Sequence, residues 1–325
     1  MGFNKGNYKR IKREYEGKAL RAMEAAEKRK KGRHALYPSL AQIDDELSLT
    51  GLKIFEVTLK FKGEALEKKI GELKKENEAL KNERKNELAR LGLPLDCTDV
   101  KYECEKCSDS GFVGLNMCTC MKEKLIYAGY ESSGILPLIK EKSFDNFTPE
   151  HQKDEKSASN IKMLKDFCKK YAEGFSEKSP NLLFIGGTGL GKPHLCAAIT
   201  AKCIGMGHDV LCETAQNLFS DFEFERFNRP YIKDESVENR TDRYFECDLL
   251  IIDDLGTEVS NQFTVSCLYN VINTRLNRGK PIIINTNLSR DDLKNRYSDR
   301  ITSRLFGEFL PLMFFGRDVR ELKLG

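Results

Sequence analysis

The chain has 325 residues, 32% of them charged and 40% apolar, which suits a globular protein of about two domains and argues against a fibrous or membrane-embedded one. No run approaches the roughly 18 apolar residues that a membrane span requires, and the start lacks the apolar core of a secretory signal, so no membrane association and a cytoplasmic location are expected. The net charge is only +4, yet within the first 34 positions twelve basic residues, Lys5 to Arg33, face four acids. Such a basic arm suits a nucleic acid or an acidic protein partner, and a solvated helix accounts for it equally.

Residues 1 to about 50 read as helical, with Tyr8, Ile11, Tyr15, Leu20 and Met23 at loosely helical spacing among the charges. From Leu52 to Arg90, Leu59, Leu66, Leu73 and Leu80 recur every seven residues, and Ile70 and Asn77 hold the complementary seam positions of a heptad. Gly63 and Gly71 each cost on the order of 1 kcal/mol against alanine in a helix interior, so a helical hairpin or a partner-docking helix competes with a coiled coil. Gly92 and Pro94 end the pattern, which bounds a basic, helical N-terminal region at 1–95.

Residues 96–130 form a cysteine-rich module. Cys104-x-x-Cys107 and Cys118-x-Cys120 are two chelating pairs joined by a loop containing Gly111 and Gly114, and soft thiolates at this spacing match a tetrahedral Zn²⁺. Free buried thiols and an iron–sulfur cluster are the alternatives. The count of 11 cysteines is odd and no export signal is present, which favours reduced thiols over disulfides. Cys97 is spare, and Cys168, Cys196, Cys203, Cys212, Cys247 and Cys267 read as small core hydrophobes. A polar connector, 131–155, runs through Phe144, Phe147 and Pro149.

In 156–325, short apolar runs alternate with helix-length segments: Leu182–Ile185, Asp209–Cys212, Asp248–Ile252, Pro281–Asn285 and Pro311–Phe315. Nearly continuous apolar strands of this kind predict an α/β fold, a five-stranded parallel sheet flanked by helices. Directly after the first strand, and before an apolar helix from Leu195 to Ile204, stands Gly186-Gly187-Thr188-Gly189-Leu190-Gly191-Lys192. There the glycines let backbone amides wrap a phosphate, the helix N-terminus adds its positive end and Lys192 supplies a point charge, so a P-loop for ATP or ADP is expected.

The next residue departs from the pattern. Pro193 stands where a Ser or Thr hydroxyl would ligate Mg²⁺, and proline has neither hydroxyl nor amide hydrogen. Its ring is tolerated in a first helical turn, so the fold survives, but weakened nucleotide and Mg²⁺ binding and impaired hydrolysis are expected. The preceding Lys192 is also biased away from helical backbone.

Asp253 and Asp254 end the strand that begins at Asp248, at the carboxyl edge where α/β sheets hold ligands. Asp253 suits Mg²⁺ support and Asp254 suits polarising the attacking water, with Glu258 an alternative acid. Thr286 and Asn287 follow the fourth strand, and Asn287 is expected to sense the γ-phosphate. Arg300 and Arg304, four apart on one helical face, can present a guanidinium to a neighbouring subunit's phosphates, while Arg317 and Arg320 can reach the nucleotide in cis. Surface ion pairing is the plain alternative for each arginine. Between residues 216 and 245, Phe219, Phe222, Phe224, Phe227, Tyr231, Tyr244 and Phe245 interleave with Arg226, Arg229, Lys233, Arg240 and Arg243, a mixture that either stacks on single-stranded nucleic acid or forms an ordinary core helix.

Together these motifs resemble the bacterial replicative helicase loaders of the DnaC/DnaI type and the related IstB-like ATPases. The stretch Asn181 to Ala198, the block Asp248 to Glu258, the connector Ser143-Phe144-Asp145-Asn146-Phe147 and the ending Gly316-Arg317-Asp318-Val319-Arg320 carry the resemblance. It implies an AAA+ P-loop domain, a variable and often zinc-bearing N-terminal domain that grips a hexameric replicative helicase, and binding of single-stranded DNA by the AAA+ domain. It also implies nucleotide-dependent self-association, with Arg304 as arginine finger beside Arg300, Asn287 as sensor and Arg320 as second sensor. Family loaders lack a C-terminal helical lid, and none is expected in the ten residues after Phe315. The resemblance extends to transposition-helper ATPases, and Pro193 keeps open a non-hydrolysing, nucleotide-dependent scaffold.

Overall fold

The computed structural model describes residues 3–148, 154–228 and 240–318. The chain divides into two compact units, one of Lys12–Cys120 and the other of Met1–Ile11 with Met121–Gly325.

The first unit is built on three helices, α1 (Lys5–Leu36), α2 (Pro38–Lys60) and α3 (Glu64–Arg90), of which α1 begins in the other unit's share of the chain. Pro38 sits in the first turn of α2, where its missing amide hydrogen costs nothing. The leucine heptad does not run on as one helix: the chain turns at Phe61–Gly63, and Gly63 takes a positive φ of 65° to start α3. Of the expected alternatives the structure takes the hairpin. Ile70, Leu73, Asn77 and Leu80 lie half-buried along α3, whereas Leu59, across the turn, is 72% exposed.

Leu40, Leu88 and Cys97 close the base of the hairpin. Beside them the Asp44 carboxylate accepts from Arg84 Nε at 2.6 Å and pairs with His34 Nε2 at 2.8 Å. Burial opposes its ionisation, but the bonds from His34 and Arg84 outweigh that and hold its pKa below the ordinary value. A two-stranded hairpin, β1 (Phe112–Val113) and β2 (Asn116–Met117), completes the unit.

The second unit contains α4 (Thr119–Ser132), α5 (Leu136–Glu141), α6 (Glu155–Glu173), β3 (Asn181–Ile185), α7 (Lys192–Gly205), β4 (Val210–Thr214), α8 (Ala215–Asn228) and α9 (Asp242–Glu246). There follow β5 (Leu249–Leu255), α10 (Gln262–Asn277), β6 (Ile282–Thr286), α11 (Arg290–Arg296), α12 (Asp299–Gly307) and β7 (Phe309–Met313). The strands pair in parallel in the order β4-β5-β6-β3-β7, the α/β sheet expected. Alternate residues feed two cores: Leu182, Phe184, Leu249 and Ile251 face one helical layer, and Leu183, Ile185, Leu250 and Ile252 face the other. The last strand begins two residues before its expected start, because Phe309 is 4% exposed within the second core while Phe315 is 55% exposed.

One buried group went unforeseen. Arg275 of α10 is fully buried; it donates to the carbonyls of Tyr244 (2.9 Å), Cys247 (3.1 Å), Asp248 (3.3 Å) and Pro281 (2.8 Å), tying α10 to the entries of β5 and β6.

Candidate functional site

The chain order β3, loop, α7 places the glycine-rich segment at the carboxyl edge of the sheet, beside the ends of β5 and β6. Gly191 caps α7 in the left-handed region at φ 85°, and a Cβ there would stand 2.5 Å from the Phe147 ring. The connector aromatic thus packs against the loop only because residue 191 is glycine. At Gly186, a Cβ would meet the Phe314 carbonyl oxygen at 2.5 Å. Pro193 occupies the first turn of α7, and Lys192, despite preceding a proline, is the first residue of that helix.

Lys192 is 2% exposed. Its Nζ donates to the carbonyls of Gly186 and Gly187, each at 2.6 Å, and to Asn287 Oδ1 at 2.8 Å. Burial lowers its pKa, against the opposing pull of Asp254 and Asp253. Asn287 Nδ2 in turn donates to Asp254 Oδ1 at 3.3 Å, so this amide bridges the loop lysine and the second aspartate.

The pairing of β5 with β6 is irregular between Ile252 and Leu255, and Asp254 has φ 53°, a left-handed backbone uncommon for a non-glycine residue. The irregularity delivers Asp254 to the cleft, while Asp253 is held behind it by Asn285 Nδ2 and by the Asp254 amide at 3.1 Å. Burial raises the Asp253 pKa, and the neighbouring Asp254 charge adds to the rise. Thr188 to His194 and Lys142 on one side, with Asp254, Asn285 and Asn287 on the other, enclose a cleft of about 270 Å³. His194 closes one end, edge-on to Phe147 at 5.0 Å between ring centroids and bonded through Nε2 to Ser143 O at 2.8 Å; burial lowers its pKa.

The other sequence candidates fall elsewhere. Glu258 is a structural anchor: its carboxylate accepts from the Gly256 amide at 2.8 Å and the Tyr297 hydroxyl at 2.5 Å. The hydroxyl of Thr286 is spent on the Leu255 carbonyl at 2.6 Å. Arg304 is half-buried, stacked over Tyr269 at 4.7 Å and bonded through Nη2 to Asn273 Oδ1 at 2.6 Å, whereas Arg300 is exposed. Neither lines the cleft. Arg317 is exposed, and its charge is felt at Asp154, the N-cap of α6. Arg320 lies outside the described residues, as do Pro149, Arg229, Tyr231 and Lys233.

Phe219 and Tyr244 belong to the core, but Phe224 and Phe227 are 38% and 62% exposed. Arg240 lies over the Phe224 ring at 4.1 Å, and Arg226 lies 5.7 Å from Phe227 and 5.2 Å from Phe263. The mixed segment therefore divides into core aromatics and a surface of paired arginines and rings.

Cys104, Cys107, Cys118 and Cys120 come together, all Sγ atoms within 4.8 Å of one another. Cys104 and Cys118 are 3.8 Å apart and Cys107 and Cys120 are 3.6 Å apart. A regular tetrahedron with Zn–S of about 2.3 Å has edges of about 3.8 Å, so the donor set fits Zn²⁺ in kind and spacing. The loop is formed by its own backbone: Asp109, 1% exposed and at φ 55°, accepts from the amides of Glu103 and Cys104, each at 2.9 Å. Burial pushes the Cys120 thiol up to about 12 and raises Cys107, while a backbone hydrogen bond from Cys120 lowers Cys118 to about 7. A bound dication would supply the charge that lets all these thiolates ionise together. Tyr15 of α1, 5% exposed, shares a side-chain hydrogen bond with Cys120.

A family profile described as IstB-like ATP binding protein matches residues 140–306, more than half of the chain. The chain belongs to this family. Its relatives include the replicative helicase loader DnaC of Buchnera aphidicola subsp. Schizaphis graminum, 28% identical over 194 residues that make up 59% of this chain and 75% of that protein. DnaC of Escherichia coli K12 is 25% identical over 57% of this chain and 71% of the relative. Among solved structures, the DnaC helicase loader superposes with a TM-score of 0.43 at 21% identity over 53% of this chain and 98% of that one, and DnaI with 0.42 at 19% over 56% and 92%. The matched residues 140–306 of this IstB-like chain span the connector, the glycine-rich loop and four of the five parallel strands. Among the described residues no helix is long and apolar enough to cross a membrane.

Proposed function

We propose that the protein is an ATP-dependent loader that delivers a ring-shaped replicative helicase to DNA. The observation that carries the nucleotide reading is the bridge Lys192–Asn287–Asp254, which sets the loop and the Asp254 carboxylate around one cleft. The similarity to DnaC proteins along three quarters of the Buchnera relative supports the loader role.

In this reading the amides from Gly186 to Gly191 wrap the ATP or ADP phosphates, Lys192 leaves its carbonyl partners to pair with them, and Asp253 supports Mg²⁺. Asp254 orients the attacking water, and Asn287 reports the γ-phosphate to both the lysine and the carboxylate. Bound Mg²⁺ would neutralise phosphate charge and polarise the transferred group. Arg304, pre-oriented by Asn273 and Tyr269, faces a neighbouring copy's phosphates in a nucleotide-dependent oligomer, with Arg300 beside it and Arg320 acting in cis. Phe224, Phe227, Arg226 and Arg240 form a stacking surface for single-stranded DNA. The functional division runs 1–95, 96–130, 131–155 and 156–325, the first two parts gripping the helicase through helices and a Zn²⁺-held loop.

The test is gel filtration of the full chain with the replicative helicase of its own organism, with and without ATP. A complex that forms with ATP is expected; no complex under either condition overturns the loader reading. Pro193 favours a second reading, a scaffold that binds nucleotide and does not turn it over. Phosphate release in the presence of single-stranded DNA separates the two, since stimulated release excludes the scaffold.

A further inference from the structure

Pro193 removes a hydroxyl from the shell of any divalent cation that accompanies the nucleotide. The structure holds an uncommitted oxygen in the same cleft. Asn285 is fully buried at the end of β6, between the ends of β5 and β3, and stands in register with Phe184. Its Nδ2 donates to Asp253 Oδ1. That bond fixes which way the amide faces, because the reverse orientation would set two oxygens against each other. Its Oδ1 is buried and has no hydrogen-bond partner among the described residues, although the side chain lines the cleft with Lys192, Asp254 and Asn287. An unpaired buried polar atom forfeits its hydration with nothing in return. The preceding Ile282, Ile283 and Ile284 are apolar and buried, so a branched aliphatic residue would continue the strand without that cost.

We propose that Asn285 compensates for Pro193: its amide oxygen, beside Asp253, accepts a hydrogen bond from the water shell of the divalent cation bound with the nucleotide. Mg²⁺ sheds water reluctantly and is commonly held through it, so a second acceptor for that water retains the ion where the direct hydroxyl ligand is missing. Outer-shell partners of this kind are worth about 10–100-fold in metal affinity. The proposal rests on the nucleotide reading of the cleft and assigns Asn285 a binding role that Asn287, which contacts Lys192, does not share.

A fluorescent ribose-labelled ATP is titrated into the full chain in EDTA and in Mg²⁺, and Mn²⁺ uptake with the nucleotide is followed by electron paramagnetic resonance. The unsubstituted chain is expected to bind more tightly with Mg²⁺. Asn285→Leu loses about tenfold of that gain and of Mn²⁺ affinity, and Pro193→Thr added to Asn285→Leu restores both. Asn285→Ser replaces the leucine variant if thermal denaturation shows the latter unfolded. An undiminished gain in the Asn285 variant, failure of Pro193→Thr to restore it, or no gain in the unsubstituted chain overturns the proposal. If the unsubstituted chain takes up no labelled ATP in either buffer, the nucleotide reading itself falls.

Discussion

The two units of this chain are held together by different means. In the sheet unit, successive strand residues such as Leu182, Leu183, Phe184 and Ile185 are almost wholly buried, alternately toward two helical layers. In the helical unit burial is sparse: Leu49, Leu52, Phe55 and Leu59 of α2 are each more than half exposed, and cohesion falls to a small base around Leu88, the Asp44 ion pairs and the cysteine cluster. An apolar core spreads its cohesion over many contacts, whereas a unit gathered around four thiolates would depend on an ion held by them.

Denying the cysteine cluster a metal is therefore expected to be the strongest way to break the comparison. Structural zinc contributes about 10–16 kcal/mol in small domains, so a chelator, or Cys107→Ser, is expected to abolish cooperative melting of residues 12–120 and leave the sheet's transition in place. Circular dichroism with chromogenic zinc release checks this; an unchanged helical signal after the metal leaves would show that the helices need no such clamp. In the sheet unit the largest single loss is expected at Arg275, whose replacement by methionine removes the guanidinium bonds to four carbonyls and should cost about 3 kcal/mol, read as a lower denaturant midpoint.

A smaller effect is expected at Asp209, bonded to Asn4 at 3.1 Å and pushed up by burial from 3.8 to about 6. Because the folded-state pKa is raised, this group's contribution is fully present below the unfolded value and is lost as pH rises through about 6. Asp209→Asn should then stabilise the chain by about 2 kcal/mol near pH 8. The gain should shrink on acidification below pH 6, and equal gains at both pH values would contradict the burial argument. Smallest is Pro193→Thr in the otherwise unchanged chain, expected to tighten Mg²⁺-nucleotide binding by about tenfold, or ~1.4 kcal/mol, by calorimetry.

The same contrast explains what could be read in advance. The strands and the glycine-rich loop were legible because buried parallel strands are apolar on both faces and the loop needs glycine at fixed places; the clustering of the cysteine pairs was legible from their spacing. The heptad misled in part, since a seven-residue period continues in sequence across Gly63 while the backbone reverses there. Asn285 and Arg275 were missed because Asn285 only ends an apolar run and Arg275 stands among Asn273, Thr274 and Asn277, so neither position announces a buried polar group or its partners. The irregular end of β5 and the left-handed Asp254 left no trace in composition at all.

Lys192 carries one further implication. Three acceptors of the protein's own satisfy its ammonium within 2.8 Å, so departure of a ligand strands no lone charge inside the fold. A phosphate bound at Lys192 would have to exchange with those internal oxygens, and on leaving would be replaced by them. Such a latch favours rapid exchange of an anionic ligand over tenacious retention.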